Sequence, residues 1–137
     1  MGRTRRHRWI AMLLALSGCE RGEVAVPPGF DTPQARARGR ELFLEHCAIC
    51  HGEQADGQGP RRGSLSPPPA NFRDPSWRSR TSPARSFAIV RDGRPGTPMP
   101  AWKPVLSEPE TWDVVAYLHG VGGELHGLGG ERAEPEP

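Results

Sequence analysis

Five consecutive residues carry the most specific chemistry in this sequence: Cys47, Ala48, Ile49, Cys50 and His51. Two thiols three positions apart, followed at once by an imidazole, form the attachment signature of a c-type haem. In such a site both thiols bond covalently to the porphyrin and the histidine ligates its iron. The spacing suits that chemistry, because thiols at i and i+3 lie on one side of a helical turn and reach neighbouring substituents on one edge of a flat ring. His51 falls just past the second thiol, where a neutral imidazole can swing beneath the ring centre. A zinc site would need four ligands, and downstream of this run the chain offers no cysteine and only His119 and His126. A thioredoxin-like dithiol would follow a strand in a βαβ unit, whereas the residues before Cys47 read as a helix. One covalently attached haem is therefore the expected cofactor.

A second candidate stands 48 positions beyond His51, in the run Gly96, Thr97, Pro98, Met99, Pro100. Met99 is the only methionine other than Met1 and Met12. Methionine usually fills cores because it is flexible, but a methionine between two prolines sits on stiff backbone. It reads better as a thioether ligand presented rigidly, with an apolar plug beside the haem as the alternative.

Three helices are needed to hold these groups. The first is expected to begin with Thr32 as N-cap and Pro33 at the first helical position, and to run to Cys47. Ala35, Gly39, Phe43 and Cys47 recur every four residues on one face, with Leu42 beside them, while Arg36, Arg38, Arg40 and Glu41 can face water. Gly39 costs roughly 1 kcal/mol against alanine in an exposed helix, so either another backbone approaches there or the glycine is merely tolerated. A second, short helix opens at Ser82 and Pro83, passes through Phe87, Ile89 and Val90, and closes at Gly93. The last has a capping box from Ser107 to Glu110 and ends at Gly120; its Trp112, Val114, Val115, Ala116, Tyr117 and Leu118 leave few polar faces. Between the first two lies a segment, residues 52–81, rich in Gly, Pro, Arg and Ser, where regular structure should be sparse. A loop that long needs an organiser, and the haem edge is the candidate. Pro67 to Ala70, Asn71, Phe72 and Trp77 are expected to wrap the ring, with Trp77 or Arg73 as a candidate partner for a haem carboxylate.

The whole chain bounds the rest. Its 137 residues, 35% hydrophobic with 16 prolines and 17 glycines, allow one small turn-rich domain. Residues 1–18 carry Arg3, Arg5, Arg6 and Arg8 and then the apolar run Trp9 to Leu16, the pattern of an export signal too short to span a bilayer. Leu16, Ser17, Gly18 and Cys19 resemble the lipobox of bacterial lipoproteins, which implies lipidation of Cys19. Residues 19–31 then form the lipidated cysteine and a tether, 32–120 the folded domain, and 121–137, with five glycines and four glutamates, a disordered tail. Without residues 1–18 the chain has 14 basic and 16 acidic residues, a balance of −2 that removes the electrostatic support for nucleic-acid binding. The segment 32–120 alone carries 12 basic and 9 acidic residues, so a mildly basic face could steer an acidic partner.

Taken in order, the CAICH run, the Gly-Thr-Pro-Met-Pro loop and a final helix reading Trp-Asp-Val-Val-Ala-Tyr-Leu resemble class I monohaem cytochrome c across roughly residues 32–120. The resemblance implies an all-α fold of three to four helices and long loops around one covalently bound haem. It implies Cys47 and Cys50 as thioether attachments, His51 as proximal ligand and Met99 as distal ligand, and a crossing of the first and last helices at Gly39, Phe43 and Tyr117. The implied role is electron carriage rather than catalysis, at an extracytoplasmic membrane surface. Its partners would be redox proteins such as a quinol-oxidising complex, a terminal oxidase or a dehydrogenase. A haem-based gas sensor or weak peroxidase is the alternative, and would need Met99 to be displaceable. The chain differs from simple soluble carriers in its lipobox and in having a single lysine, Lys103.

Overall fold

The computed structural model describes residues 24–121. The expected signal, Cys19 and the tail after 121 lie outside the described residues.

Helix α1 spans Pro33–His46, and Thr32 caps it as expected, its hydroxyl accepting from the Ala35 N–H at 3.1 Å. The chain bends at Cys47 and re-enters a short helical turn, α2, at Ala48–His51. Helix α4 spans Pro83–Asp92, with Ser82 as N-cap and Gly93 as C-cap. Helix α5 runs Glu108–Val121, one residue past the expected stop, and its capping box closes with Ser107 N–H donating to Glu110 Oε2 at 2.8 Å. The loop between 52 and 81 is not wholly irregular. It holds a 3₁₀ turn at Arg62–Ser64 and a six-residue helix, α3, at Pro75–Arg80, for which Asp74 supplies the cap. The three long helices are those expected, and two short ones join them.

Helices α1 and α5 cross face to face, and Gly39 lies at the crossing. A Cβ on Gly39 would collide with the Asp113 carbonyl oxygen and with Val114 N of α5, so the glycine is required by close backbone approach. Around it the expected stripe is buried: Ala35, Phe43 and Cys47 are 5%, 1% and 8% exposed. The arginines on the opposite side of α1 do more than face water. Arg38 makes a bidentate pair with Asp113 at 2.7 Å on both arms, clamping the two helices, and Arg36 pairs with Asp31.

A second apolar cluster forms where α4 meets α5. Phe87 stacks on Trp112 with ring centroids 4.3 Å apart, and Phe30 meets the same indole edge-on at 5.4 Å. Val24 packs there too. The described part of the segment expected as a tether is thus laid against the domain through Val24 and Phe30 before Thr32 is reached.

Candidate haem-binding site

The α1–α2 bend puts the cysteine run at the wall of a cavity of about 350 Å³ in the middle of the fold. Cys47, Cys50, His51 and Met99 all line it, together with Phe43 and Val114. The structure therefore brings together the four residues that sequence reasoning singled out around one space. Its volume lies in the range of small-molecule and cofactor pockets.

Local hydrogen bonds fix the cysteine turn. His51 N–H and Cys50 N–H both donate to the Cys47 carbonyl, at 2.9 and 3.1 Å. The loop that follows folds back onto the turn, with Gly59 N–H donating to Cys50 O at 3.2 Å and Arg61 N–H to Ile49 O at 2.9 Å. Cys47 is buried, and that burial, with Cys50 beside it, pushes its thiol up to about 12. Among the described residues no cluster of three His, Cys, Asp or Glu groups converges on one point, so the zinc alternative finds no ligand set.

His51 could hold a metal through one ring nitrogen. Its Nδ1 lies 3.2 Å from the Ala70 carbonyl oxygen, and since a carbonyl can only accept, Nδ1 carries the proton and Nε2 is left bare. Burial holds the imidazole below its ordinary range, against the opposing effect of the Ala70 bond, which keeps it neutral. Phe72 packs 4.8 Å from the His51 ring at 32°, and its own backbone is tied by a 2.9 Å bond from Phe72 N–H to Ala55 O.

Met99 is half-buried on a loop whose shape is over-determined. Arg94 N–H donates to Met99 O at 3.2 Å, Met99 N–H donates to Thr97 Oγ1 at 3.3 Å, and Thr97 Oγ1 donates to Arg94 O at 2.8 Å. Gly93 starts this loop at φ 74°, a conformation that favours glycine, and a Cβ there would sit 2.9 Å from Met99 O and from Ala101 N. The far end is stitched to α4 by Trp102 N–H to Val90 O at 3.0 Å.

Much of the remaining wall is apolar: Leu65, Pro67, Pro68, Pro69, Ala70 and Phe72 come from the long loop, as expected. Trp77 also lines it. Arg73 and Asn71 do not: Asn71 is exposed, its Oδ1 accepting from Arg73 N–H at 2.9 Å. The basic groups at the wall are instead Arg61 and Arg94, with His46, and sequence reasoning missed all three. Arg61 and Arg94 are brought there only by the loop bonds just described, which no local pattern announces.

The order of helices, the covalent-attachment run and a central apolar cavity faced by histidine and methionine define a small helical c-type cytochrome domain. The chain belongs to the family described as "Cytochrome C oxidase, cbb3-type, subunit III", whose profile matches residues 34–118. Among curated proteins it is 38% identical over 96 residues to "Cbb3-type cytochrome c oxidase subunit FixP" of Azorhizobium caulinodans, covering 70% of this chain and 30% of that protein. It is 34% identical over 92 residues to "Cbb3-type cytochrome c oxidase subunit CcoP" of Rhodobacter capsulatus, covering 62% and 29%. The chain thus spans about 30% of the length of these relatives. Among solved structures, the "KustC0563 c-type cytochrome" aligns with TM-score 0.50 at 28% identity over 61% of this chain and 95% of that one. A chain of the "Kuenenia stuttgartiensis reducing HAO-like protein complex Kustc0457/Kustc0458" aligns with TM-score 0.61 at 25% identity, over 66% of this chain and 45% of that one.

Proposed function

We propose that this chain is a one-electron carrier or carrier subunit of a respiratory chain, in which Cys47 and Cys50 would hold one haem covalently and His51 and Met99 would bind its iron. The observation that carries the reading is the shared cavity: a bare imidazole nitrogen and a thioether, from segments 48 residues apart, are held rigidly around one apolar space. Bound haem supplies a reversible one-electron iron couple, and a thioether ligand favours its reduced state. The chain's own residues do the remainder. His51 is kept neutral and oriented by Ala70, Gly93 and Thr97 fix Met99, and Phe43, Phe72 and the proline run exclude water. His51 and Met99 would both be taken up in holding the iron, which supports carriage over catalysis.

The relatives' names support a terminal oxidase of the cbb3 type as the partner or host assembly. The export-signal pattern of residues 1–18 and the lipobox-like run Leu16 to Cys19 support an extracytoplasmic location, tethered to a membrane through Cys19. No helix among the described residues is long and apolar enough to cross a membrane.

Absorption spectra of the matured protein, ferric and ferrous, with and without carbon monoxide, test the ligand set. The expected result is a ferric thioether band and no carbon monoxide response. In Met99→Ala the haem should be retained, the band lost and carbon monoxide bound, with a lowered potential. A normal potential in that variant would overturn the assignment of Met99, and prompt carbon monoxide binding by the unaltered protein would favour the gas sensor or peroxidase.

A further inference from the structure

His119 stands behind the cavity wall. It is half-buried on α5, and its Nε2 lies 2.9 Å from the Ser86 hydroxyl of α4. Ser86 is only 3% exposed and lines the cavity. The same imidazole packs 5.0 Å from the ring of Trp77 on α3, which also lines the cavity. One titratable side chain therefore braces two wall residues, from two helices, while contributing no surface to the wall itself.

We propose that His119 is a positioning residue that couples the charge state of the haem cavity to a proton, through Ser86. The proposal rests on the haem-binding reading above. When His119 is neutral and Nε2 is bare, the Ser86 hydroxyl donates to Nε2 and turns its oxygen lone pairs toward the cavity. When Nε2 takes a proton from water, Nε2–H donates to the Ser86 oxygen instead, and the Ser86 O–H is freed to donate elsewhere. The wall then gains a donor and a positive charge behind it, in a low-dielectric setting where both count for more than in water. Taking one electron from a donor protein, which is itself oxidised by one electron, makes the cavity more negative and favours this protonated arrangement. Electron and proton uptake are thus linked, and linkage is reciprocal: the imidazole is more basic in the reduced protein than in the oxidised one.

The surroundings of His119 set where the effect falls. Burial lowers the imidazole from its ordinary 6.5, Arg78 of α3 pushes the same way, and Asp31 in the segment before α1 opposes them. Asp31 is itself held by Arg36 of α1, and α4 presents the uncharged Ser86. The response is therefore expected on the acid side of neutrality.

The test is redox titration of the haem-loaded protein between about pH 8 and about pH 5, the range in which histidine changes charge. At a fixed electrode potential the ferrous-to-ferric ratio should rise by about fivefold or more as pH falls, the lower end of ordinary coupling between sites. His119→Gln, which can still bond Ser86, should load haem and give a flat profile. Ser86→Ala should weaken the response while leaving His119 titratable by NMR, and that titration should lie at higher pH in the ferrous than in the ferric protein. A flat profile in the unaltered loaded protein overturns the proposal, as does an unchanged pH response in His119→Gln. Failure to load haem at all defeats the haem-binding reading, and the proposal with it.

Discussion

At the scale of single residues, Gly39 gives the sharpest stability test because two effects have opposite signs. In an exposed helix, alanine for glycine gains roughly 1 kcal/mol of propensity. Here the new methyl would meet the Asp113 carbonyl and the Val114 amide of α5, both fixed backbone. Neither can rotate away, so the helices must separate, loosening the Arg38–Asp113 clamp and the Phe43–Tyr117 contact at 5.1 Å. Gly39→Ala is expected to destabilise the loaded protein by about 1–3 kcal/mol in chemical denaturation, the usual cost of overpacking. A gain in stability would show that the close approach is wrong. Gly39 was legible in the sequence because glycine in mid-helix is costly and invites a reason. His119 was not: its partner Ser86 is 33 positions away and its other neighbour, Trp77, 42. No local pattern ties those residues, and only the packing of α3 and α4 on α5 brings them to one point.

At the scale of elements, the ends of helices were read most reliably, since a cap is local chemistry. Thr32, Ser82 and Ser107 each occupy the boundary expected, and the hydroxyls of Thr32 and Ser82 accept from the third residue on, Ala35 and Arg85. Helix α3 carried the same signal, Asp74 before Pro75, with Asp74 accepting from Ser76 N–H at 2.9 Å. It was hidden because six residues are too few to show an apolar period among the surrounding prolines and arginines. The caps are also testable. Thr32→Ala removes the acceptor for the Ala35 N–H at the start of the helix that carries the cysteine turn, and is expected to cost about 1 kcal/mol. Thermal unfolding of the loaded protein should show a lower midpoint, with absorption spectra unchanged below the transition. A shifted spectrum would mean that the start of α1 acts on the cysteine turn at its far end, and no loss of stability would mean that water replaces the cap.

At the scale of the whole molecule, the core is a shell around a cavity, and one surface of that shell is committed to holding the N-terminal segment. Val24 and Phe30 pack on the Trp112–Phe87 cluster, which is separate from the cluster that contains Cys47. Val24 is only five positions on from Cys19, a reach of at most about 18 Å even when extended. If Cys19 is lipidated, the domain is therefore held close to the bilayer surface, with little freedom to diffuse between distant partners. Such a short leash suits a carrier that serves a neighbour fixed in the same membrane. Acyl chains contribute roughly 0.8 kcal/mol per buried CH₂, so the two or three that the lipoprotein resemblance implies would anchor stably where one would not. Cys19→Ala is accordingly expected to move the loaded protein from the membrane fraction to the soluble one, while the unaltered protein stays with the membrane through a high-salt wash. Salt-sensitive retention of the variant would place the hold in charged contacts with a membrane partner. Retention of the variant through the same wash would overturn the lipid anchor, and would leave either an uncleaved signal or a tightly bound subunit as the attachment.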